Sequence, residues 1–305
     1  MLRDEITEPI RPIPQRRVIE KMNEYMSRRD YAGAERHLLY WLAEAQLGGD
    51  LDGQLVLRNE MVGHYRKTGQ RDKAMESAEE ALSLLAELGL EDAVIAGTTY
   101  VNIATACNAF GDYERSLALF EKARAVYEGG RFVEPQLLGG LYNNMALTCT
   151  ALGRYEEALS LYEKAVRVMA DVPDGELEQA ITFLNMADTV EAQLGPEEGE
   201  KRIFELVERA QELLEEKGRE ILGPGGFPED EDGAGGQVRT DGADVPADRG
   251  GAGGGSLRGK NREERARIGY YAFVCEKCAP TFDHYGYFLA AEELKETAER
   301  IYREM

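Results

Sequence analysis

The chain has 305 residues, of which 43% are apolar, and its formal net charge at pH 7 is −21. This length allows one or two compact domains or one extended array of repeats. An excess of carboxylates this large repels phosphate groups. The charge therefore argues against binding to nucleic acid and against binding to an anionic membrane surface.

Targeting signals are missing from the sequence. The first residues contain no apolar segment of signal-peptide length, and no apolar run reaches the length of roughly 18 residues that a membrane-spanning helix requires. Four cysteines in a chain without a secretion signal favour reduced thiols. We therefore expect a cytoplasmic protein.

A period of 42 residues organises the middle of the chain. The segment 142–166 is identical to the segment 100–124 at thirteen of 25 positions. Steps of 42 residues from Gly153 lead to Gly111, Gly69 and Gly195. A fixed period in this range is typical of stacked-repeat proteins.

Each repeat has the pattern of two helices joined by a turn. In the fourth repeat, apolar or small residues recur at spacings of three and four on both sides of Gly153. A glycine can end a helix in the left-handed conformation, and Asp112 follows the third turn, where an aspartate can cap the next helix. No alternating strand pattern occurs, so the sequence predicts an all-α protein.

These residues resemble the tetratricopeptide repeat, a helix-turn-helix unit that stacks into arrays. The family pattern is matched in the third repeat by Tyr100, Ile103, Ala104, Cys107, Gly111, Ser116, Phe120 and Ala123, and in the fourth by Tyr142, Met145, Ala146, Cys149, Gly153, Ala158, Tyr162 and Ala165. The resemblance implies a right-handed superhelical α-solenoid of about six such hairpins. The 42-residue period is similar to that of the long-repeat variants, such as kinesin light chains.

Taken in chain order, the predicted segments begin with a short lead of residues 1–15. An array of five repeats follows over 16–221, with turns near Arg29, Gly69, Gly111, Gly153 and Gly195. Residues 222–262 hold 13 of the 33 glycines and predict a Gly/Asp-rich flexible linker. Residues 263–305 predict a C-terminal hairpin with its turn near Gly286, which we expect to dock on the array.

The resemblance covers roughly residues 16–218 and 264–305, and its outer repeats are the least regular. The first and last repeats also resemble a group of bacterial tetratricopeptide proteins for which no activity is known. The closer match therefore adds no function to the one that the repeat itself implies.

The pair Cys275 and Cys278 invites two interpretations. A redox or zinc site is one, although a zinc site needs about four ligands and only His284 lies nearby in the sequence. The other is packing, because both cysteines fall on first-helix core positions of the last repeat, and buried cysteine behaves as a small apolar residue. Cys107 and Cys149 occupy equivalent packing positions, so packing is the favoured interpretation for all four.

Asparagines recur in the first helices, which line the concave face of arrays in this family. One hypothesis is a ladder of amides that binds the backbone of an extended peptide. The alternative is hydrogen bonding between neighbouring helices, and the sequence does not decide between them. The candidate binding residues are Asn59, Arg66, Asn102, Asn108, Asn143, Asn144, Asn185 and Asp188.

No nucleotide-binding, metalloprotease or hydrolase motif occurs in the chain. The sequence therefore predicts a non-catalytic scaffold that binds a protein or peptide and needs no metal or cofactor. Two alternatives stay open: a thiol or metal protein that uses Cys275 and Cys278, and a regulator that binds a signalling peptide and acts through a separate output protein. The partner and the oligomeric state are not predicted.

Overall fold

The computed structural model describes residues 10–130, 134–223 and 260–305, and the regular secondary structure of these residues is α-helical throughout. The predicted all-α class is confirmed. The helices are α1 (Gln15–Ser27), α2 (Tyr31–Leu47), α3 (Leu51–Lys67), α4 (Arg71–Leu88), α5 (Val94–Ala109), α6 (Tyr113–Gly129), α7 (Pro135–Ala151), α8 (Tyr155–Met169), α9 (Gly175–Leu222), α10 (Arg262–His284) and α11 (Phe288–Glu304).

A residue in the left-handed conformation separates the two helices of each hairpin. The φ angles are 56° at Arg29, 70° at Gly69, 80° at Gly111, 72° at Gly153, 81° at Gly195 and 84° at Gly286. Glycine adopts this conformation without steric cost. Arg29 is the exception, since a side chain in this region costs about 1–2 kcal/mol.

The fifth hairpin lies within α9. Gly195 (φ 81°, ψ 166°) interrupts the helical backbone there, and Pro196 follows it at the start of the second half. Proline fits the first turn of a helix because the amide hydrogen that it lacks has no partner in that turn. The long helix is thus two helices that meet at a sharp break.

The chain divides into two compact units, Met1–Leu161 and Tyr162–Met305, which are called unit 1 and unit 2 below. The division falls within α8. Most of the predicted lead segment (1–9) and most of the predicted linker (224–259) lie outside the described residues. The predicted segment boundaries therefore stay predictions.

Small residues and aromatic residues alternate in the core of unit 1. Ala74, Ala78 and Ala81 of α4 are fully buried, and so are Phe120 and Ser116 of α6, with exposures of 1% or less. Burying one large apolar side chain contributes roughly 1.5–3 kcal/mol, so each helix is held mainly by its apolar face. The small residues allow the helices to approach closely.

Aspartate caps appear in the first two hairpins. Asp30 accepts a hydrogen bond from the amide of Gly33 at 2.8 Å, and Asp50 accepts one from Gly53 at 2.9 Å. A β-carbon at either glycine would lie 2.3 Å from the capping carboxylate, which explains the choice of glycine. The cap expected at Asp112 is wrong: Asp112 precedes α6, but its side chain accepts no capping hydrogen bond.

Unit 2 contains the contact between α9 and α10. Tyr271, Cys275 and Phe282 of α10 have exposures of 0%, and the Tyr271 hydroxyl donates to the carbonyl oxygen of Leu214 at 3.1 Å. Charged groups surround this apolar centre, and the guanidinium of Arg267 is among them. The last hairpin thus packs on α9 through a buried centre with a polar margin.

Candidate binding face of the first helices

Three first helices, α3, α5 and α7, follow one another as contacting neighbours in unit 1. The 42-residue period places equivalent residues of these helices in two rows. One row contains Glu60, Asn102 and Asn144, and the other contains Gly63, Thr105 and Leu147. All six are at least partly exposed. These two rows, together with Gly140, are called the first-helix face below.

Two glycines of the first-helix face have no packing role. A β-carbon built at Gly63 of α3 or at Gly140 of α7 would have no atom within 4 Å outside its own helix. Glycine inside a helix costs roughly 0.5–1 kcal/mol relative to alanine. No neighbouring helix therefore requires these glycines, and they leave the helix backbone open to an approaching ligand.

Two of the candidate asparagines bond to the next first helix. The side-chain amide of Asn59 donates to the hydroxyl of Thr99 at 2.9 Å, and that of Asn108 donates to the hydroxyl of Thr148 at 2.7 Å. Asn59 is also 8% exposed, so little of it is accessible to a ligand. For these two residues the structure shows bonds between neighbouring helices, which was one of the two alternatives.

The other candidates of unit 1 are more accessible. Asn102, Asn143 and Asn144 are each partly exposed on α5 and α7. Arg66 is exposed at the end of α3 beside Lys67. Desolvation raises the pKa of Glu60, which shares a row with Asn102 and Asn144. The accessible part of the face thus carries neutral amides and the carboxyl group of Glu60, with a cationic end at Arg66.

The two candidates of unit 2 lie on α9, where Asp188 already pairs with Tyr285, the residue that follows α10. The hydroxyl of Tyr285 donates to Asp188 at 2.9 Å, and Glu191 lies 2.8 Å from the Nε2 atom of His284. The hydrogen bond with Glu191 raises the pKa of His284. Asn185, one turn before Asp188, is partly exposed.

The four cysteines are packing residues in the described structure. Each is at most 2% exposed. Burial raises the pKa of Cys149 to about 11 and the pKa values of Cys275 and Cys278 to about 12. Thiols with these values stay protonated at neutral pH, whereas a nucleophile or zinc ligand must be a thiolate. Over the described ranges, no three His, Cys, Asp or Glu side chains come together as a metal site would require.

The family model for the tetratricopeptide repeat matches residues 54–129 and 137–198. These two segments are tetratricopeptide repeats. Members of this family generally act as non-catalytic scaffolds that bind other proteins. The search of curated proteins finds no match.

Solved structures show the same fold as this chain. BtubC from P. vanneervenii aligns with a TM-score of 0.58 and 19% identity, over 76% of this chain and 86% of that one. A kinesin light chain of Podosopora anserina with nearly identical TPR-like repeats aligns with a TM-score of 0.54 and 20% identity, over 68% of this chain and 100% of that one. At these identities the likeness concerns the fold.

Two further features complete the surface of the repeat protein. An open cleft of about 440 Å³ in unit 1 is lined by Tyr100, Lys122 and the loop residues Glu91 and Asp92 among others. None of the candidate binding residues lines it. Among the described helices, none is both long and apolar enough to cross a membrane.

Proposed function

We propose that the protein is a non-catalytic scaffold that binds an extended segment of another protein on the first-helix face of unit 1. The tetratricopeptide repeats support protein binding in general. The contact of α3 with α5 and of α5 with α7 supports this face in particular, because the surface is formed before the ligand arrives. A preformed surface lowers the ordering cost of binding.

The observation that carries the proposal is the open space at Gly63 and Gly140, where a β-carbon would meet no atom of a neighbouring helix. Each glycine destabilises its helix, and neither is required by a packed neighbour, so a use outside the fold accounts for them better than a use within it. Without a β-carbon, a peptide backbone can approach the helix surface closely.

The chemistry of the face indicates the kind of ligand. Asn102 and Asn144 stand 42 residues apart in neighbouring helices, and an amide side chain both donates and accepts hydrogen bonds. Such a row matches the alternating N–H and C=O groups of an extended backbone. The exposed side chain of Leu147 adds an apolar contact, and Arg66 adds a cationic end. We infer a largely uncharged peptide with an acidic group at one end.

The test uses a library of random peptides displayed on phage, selected on the intact protein. Selected peptides are then titrated against the variants Gly63→Leu and Gly140→Leu. We expect each leucine to weaken binding by more than about tenfold, since it fills the space that the backbone of the peptide would occupy. The helices should tolerate the change, because no neighbouring atom lies within 4 Å of the new β-carbon.

Gly129→Leu is the matched control, because Gly129 is a helical glycine with an equally open site that lies on α6, outside the first-helix face. A second variant, Asn102→Ala with Asn144→Ala, should also weaken binding, by roughly thirtyfold, as the loss of two hydrogen bonds of about 1 kcal/mol each predicts. Peptides that bind Gly63→Leu, Gly140→Leu and the double asparagine variant as tightly as they bind the unchanged protein would place the site elsewhere.

A further inference from the structure

The first hairpin differs from the others at one surface position. Counting ten residues from the turn residue of each hairpin leads to the second helix. The first hairpin has Leu39 at this position. The other five hairpins all have glutamate there: Glu79, Glu121, Glu163, Glu205 and Glu296. Each of these glutamates is partly or fully exposed. A solvated position that carries a charge in five repeats is therefore apolar in one.

Leu39 belongs to an apolar stripe along α2. Leu39 is 47% exposed and Leu47 is 74% exposed, and the exposed Ala43 lies midway between them, one helical turn from each. Tyr40 (58% exposed) flanks the stripe. Ile10 (68% exposed) extends it, since the amide of the next residue donates to the carbonyl oxygen of Gly48 at 2.9 Å.

The opposite side of α2 already forms the core of the hairpin. Its buried residues include Ala34, Leu38, Leu42 and Ala45, and α2 packs mainly on α1 and α3. The exposed part of the stripe lies outside this packing. An exposed apolar surface that the fold does not use is typical of an interaction site.

The charge around the stripe is unlike that of the whole molecule. Residues 10–50 contain seven Lys and Arg against six Asp and Glu, whereas the whole chain has a net charge of −21. Two copies of a molecule this acidic repel each other over most of their surfaces. The repulsion is least where the first hairpins meet, so the neutral face favours a second copy of this chain.

The stripe is also complementary to itself. We propose that α2 pairs with α2 of a second copy about a two-fold axis that passes beside Ala43. In such a pair, Leu39 packs against Leu47 of the partner subunit, and Leu47 packs against the partner's Leu39. Residues at a spacing of four form the ridges by which helices interlock, and alanine at the crossing point lets the two backbones approach.

The first test measures the association state by sedimentation and light scattering, from low micromolar to several hundred micromolar protein. We expect a monomer–dimer equilibrium for the unchanged chain. Leu39→Glu and Leu47→Glu should each raise the dissociation constant by more than about tenfold, because each places two carboxylates in an apolar contact. Leu39→Glu introduces the residue that the other five hairpins carry, so the fold tolerates it.

Leu289→Glu is the control for an exposed leucine elsewhere, since Leu289 lies on α11 and is 78% exposed. It should leave the dimer unchanged. A chain that stays monomeric over the whole concentration range overturns the proposal, and so does a Leu39→Glu variant that dimerises as tightly as the unchanged protein. A heterologous partner of the stripe would give the first of these results.

The second test examines the two-fold axis directly. Ala43→Cys should form a disulfide between subunits under mild oxidation, because only a residue beside the axis meets its own copy within the required Cα separation of roughly 4.4–6.8 Å. Ser83→Cys is the matched control, since Ser83 is the equivalent exposed residue of α4. The four native cysteines are buried and do not compete. Crosslinking of Ala43→Cys no faster than that of Ser83→Cys contradicts the proposed axis.

Discussion

The polar bonds between neighbouring first helices in unit 1 differ from the polar bonds that surround the contact of α9 with α10 in unit 2. In unit 1, neutral amide and hydroxyl groups link neighbouring first helices, as in the pairs Asn59 with Thr99 and Asn108 with Thr148. In unit 2, charged groups link α9 to α10. Neutral hydrogen bonds do not depend on ionic strength or on the charge of a titrating group, whereas ion pairs depend on both. Salt and pH should therefore act differently on these two kinds of contact.

In unit 2, Lys217 and Arg267 bind the same two carboxylates, Asp174 and Glu220, and these groups with Glu176 are called the charged network below. The Nζ atom of Lys217 lies 3.2 Å from Asp174, 3.4 Å from Glu176 and 2.7 Å from Glu220. The guanidinium of Arg267 on α10 bonds to Asp174 and to Glu220, each at 2.6 Å. These hydrogen bonds hold the pKa values of Asp174 and Glu220 below their usual range. Their stabilisation is present above the unfolded pKa values, near 4, and is lost as the pH falls below them.

Lys217→Met should have the largest effect. The side chain of Lys217 is 9% exposed, and its loss leaves Asp174 and Glu220 with Arg267 alone and removes the cation beside Glu176. Removal of one partner from a buried ionic group costs about 3–5 kcal/mol, and the partial exposure of these carboxylates reduces the expected cost to about 2 kcal/mol. Hydrogen exchange of the α9 and α10 amides measures the local free energy of opening.

Lys201→Met is the control for this lysine, because the side chain of Lys201 is 92% exposed and lies 3.9 Å from Glu205. Exposed pairs contribute little, so its effect should stay below about 0.5 kcal/mol. The contrast between the units would fail if Lys217→Met changed exchange in unit 2 no more than Lys201→Met did.

Asn59→Ala tests the neutral bonds of unit 1 and should cost about 1 kcal/mol, the usual net value of one hydrogen bond. The hydroxyl of Thr99 still donates to the carbonyl oxygen of Ile95 at 2.9 Å, so this hydroxyl loses the hydrogen bond that it accepts from Asn59 and keeps the one that it donates. The cycle with Thr99→Val isolates the pair, and its coupling energy should be equal at low and high salt. A coupling that shrinks with added salt would show that the bond between α3 and α5 has an ionic component.

Asn102→Ala provides a further contrast within unit 1. Asn102 is partly exposed on the first-helix face, so its loss should change stability little while it weakens peptide binding.

The sequence distinguishes the asparagines that bond to the next first helix from those that stay accessible on the face. A threonine stands 40 residues after Asn59 and Asn108, whereas Tyr142 and Leu184 stand 40 residues after Asn102 and Asn144. The asparagine alone does not reveal its role, because an amide bonds equally well to a ligand or to the next helix.

Two histidines should give the units opposite responses to pH. His64 in unit 1 is 2% exposed, and burial lowers its pKa, while Glu35 acts to raise it and Lys73 to lower it. The unfolded chain then binds the proton more readily, so unit 1 loses stability as the pH falls below about 6.5. His284 in unit 2 has a raised pKa, so its stabilisation is present below about pH 6.5 and is lost as the pH rises through the raised value.

Hydrogen exchange between pH 5 and pH 8, corrected for the intrinsic pH dependence of exchange, resolves these responses by helix. His64→Phe should remove the acid sensitivity of α3 and α4, and His284→Gln should remove the response of the α9–α10 contact. The ring of His64 also lies against Tyr31 and Tyr65, which phenylalanine can replace in shape. An unchanged acid response in His64→Phe would assign it to another group of unit 1.

Much of the fold could be predicted from the sequence, because each structural position recurs in several repeats. The glycines at the period of 42 residues predicted where the chain turns, since only glycine enters the left-handed region without cost. Alignment of the repeats also identifies Leu39 as unusual, because five glutamates occupy its equivalent positions. The charged network of unit 2 could not be predicted from the sequence, since Asp174 and Arg267 lie 93 residues apart and no repeat relates them.

Arg29→Gly should have the smallest effect and the opposite sign. The relief of a left-handed side chain is worth about 1–2 kcal/mol, but glycine also adds freedom to the unfolded chain, which returns part of that gain. The expected increase in the free energy of unfolding of the first hairpin is therefore about 0.5–1 kcal/mol. The reverse change, Gly69→Arg in the second hairpin, should lower it by a similar amount. A loss of stability in Arg29→Gly would mean that the arginine side chain stabilises the turn by more than its backbone strain costs.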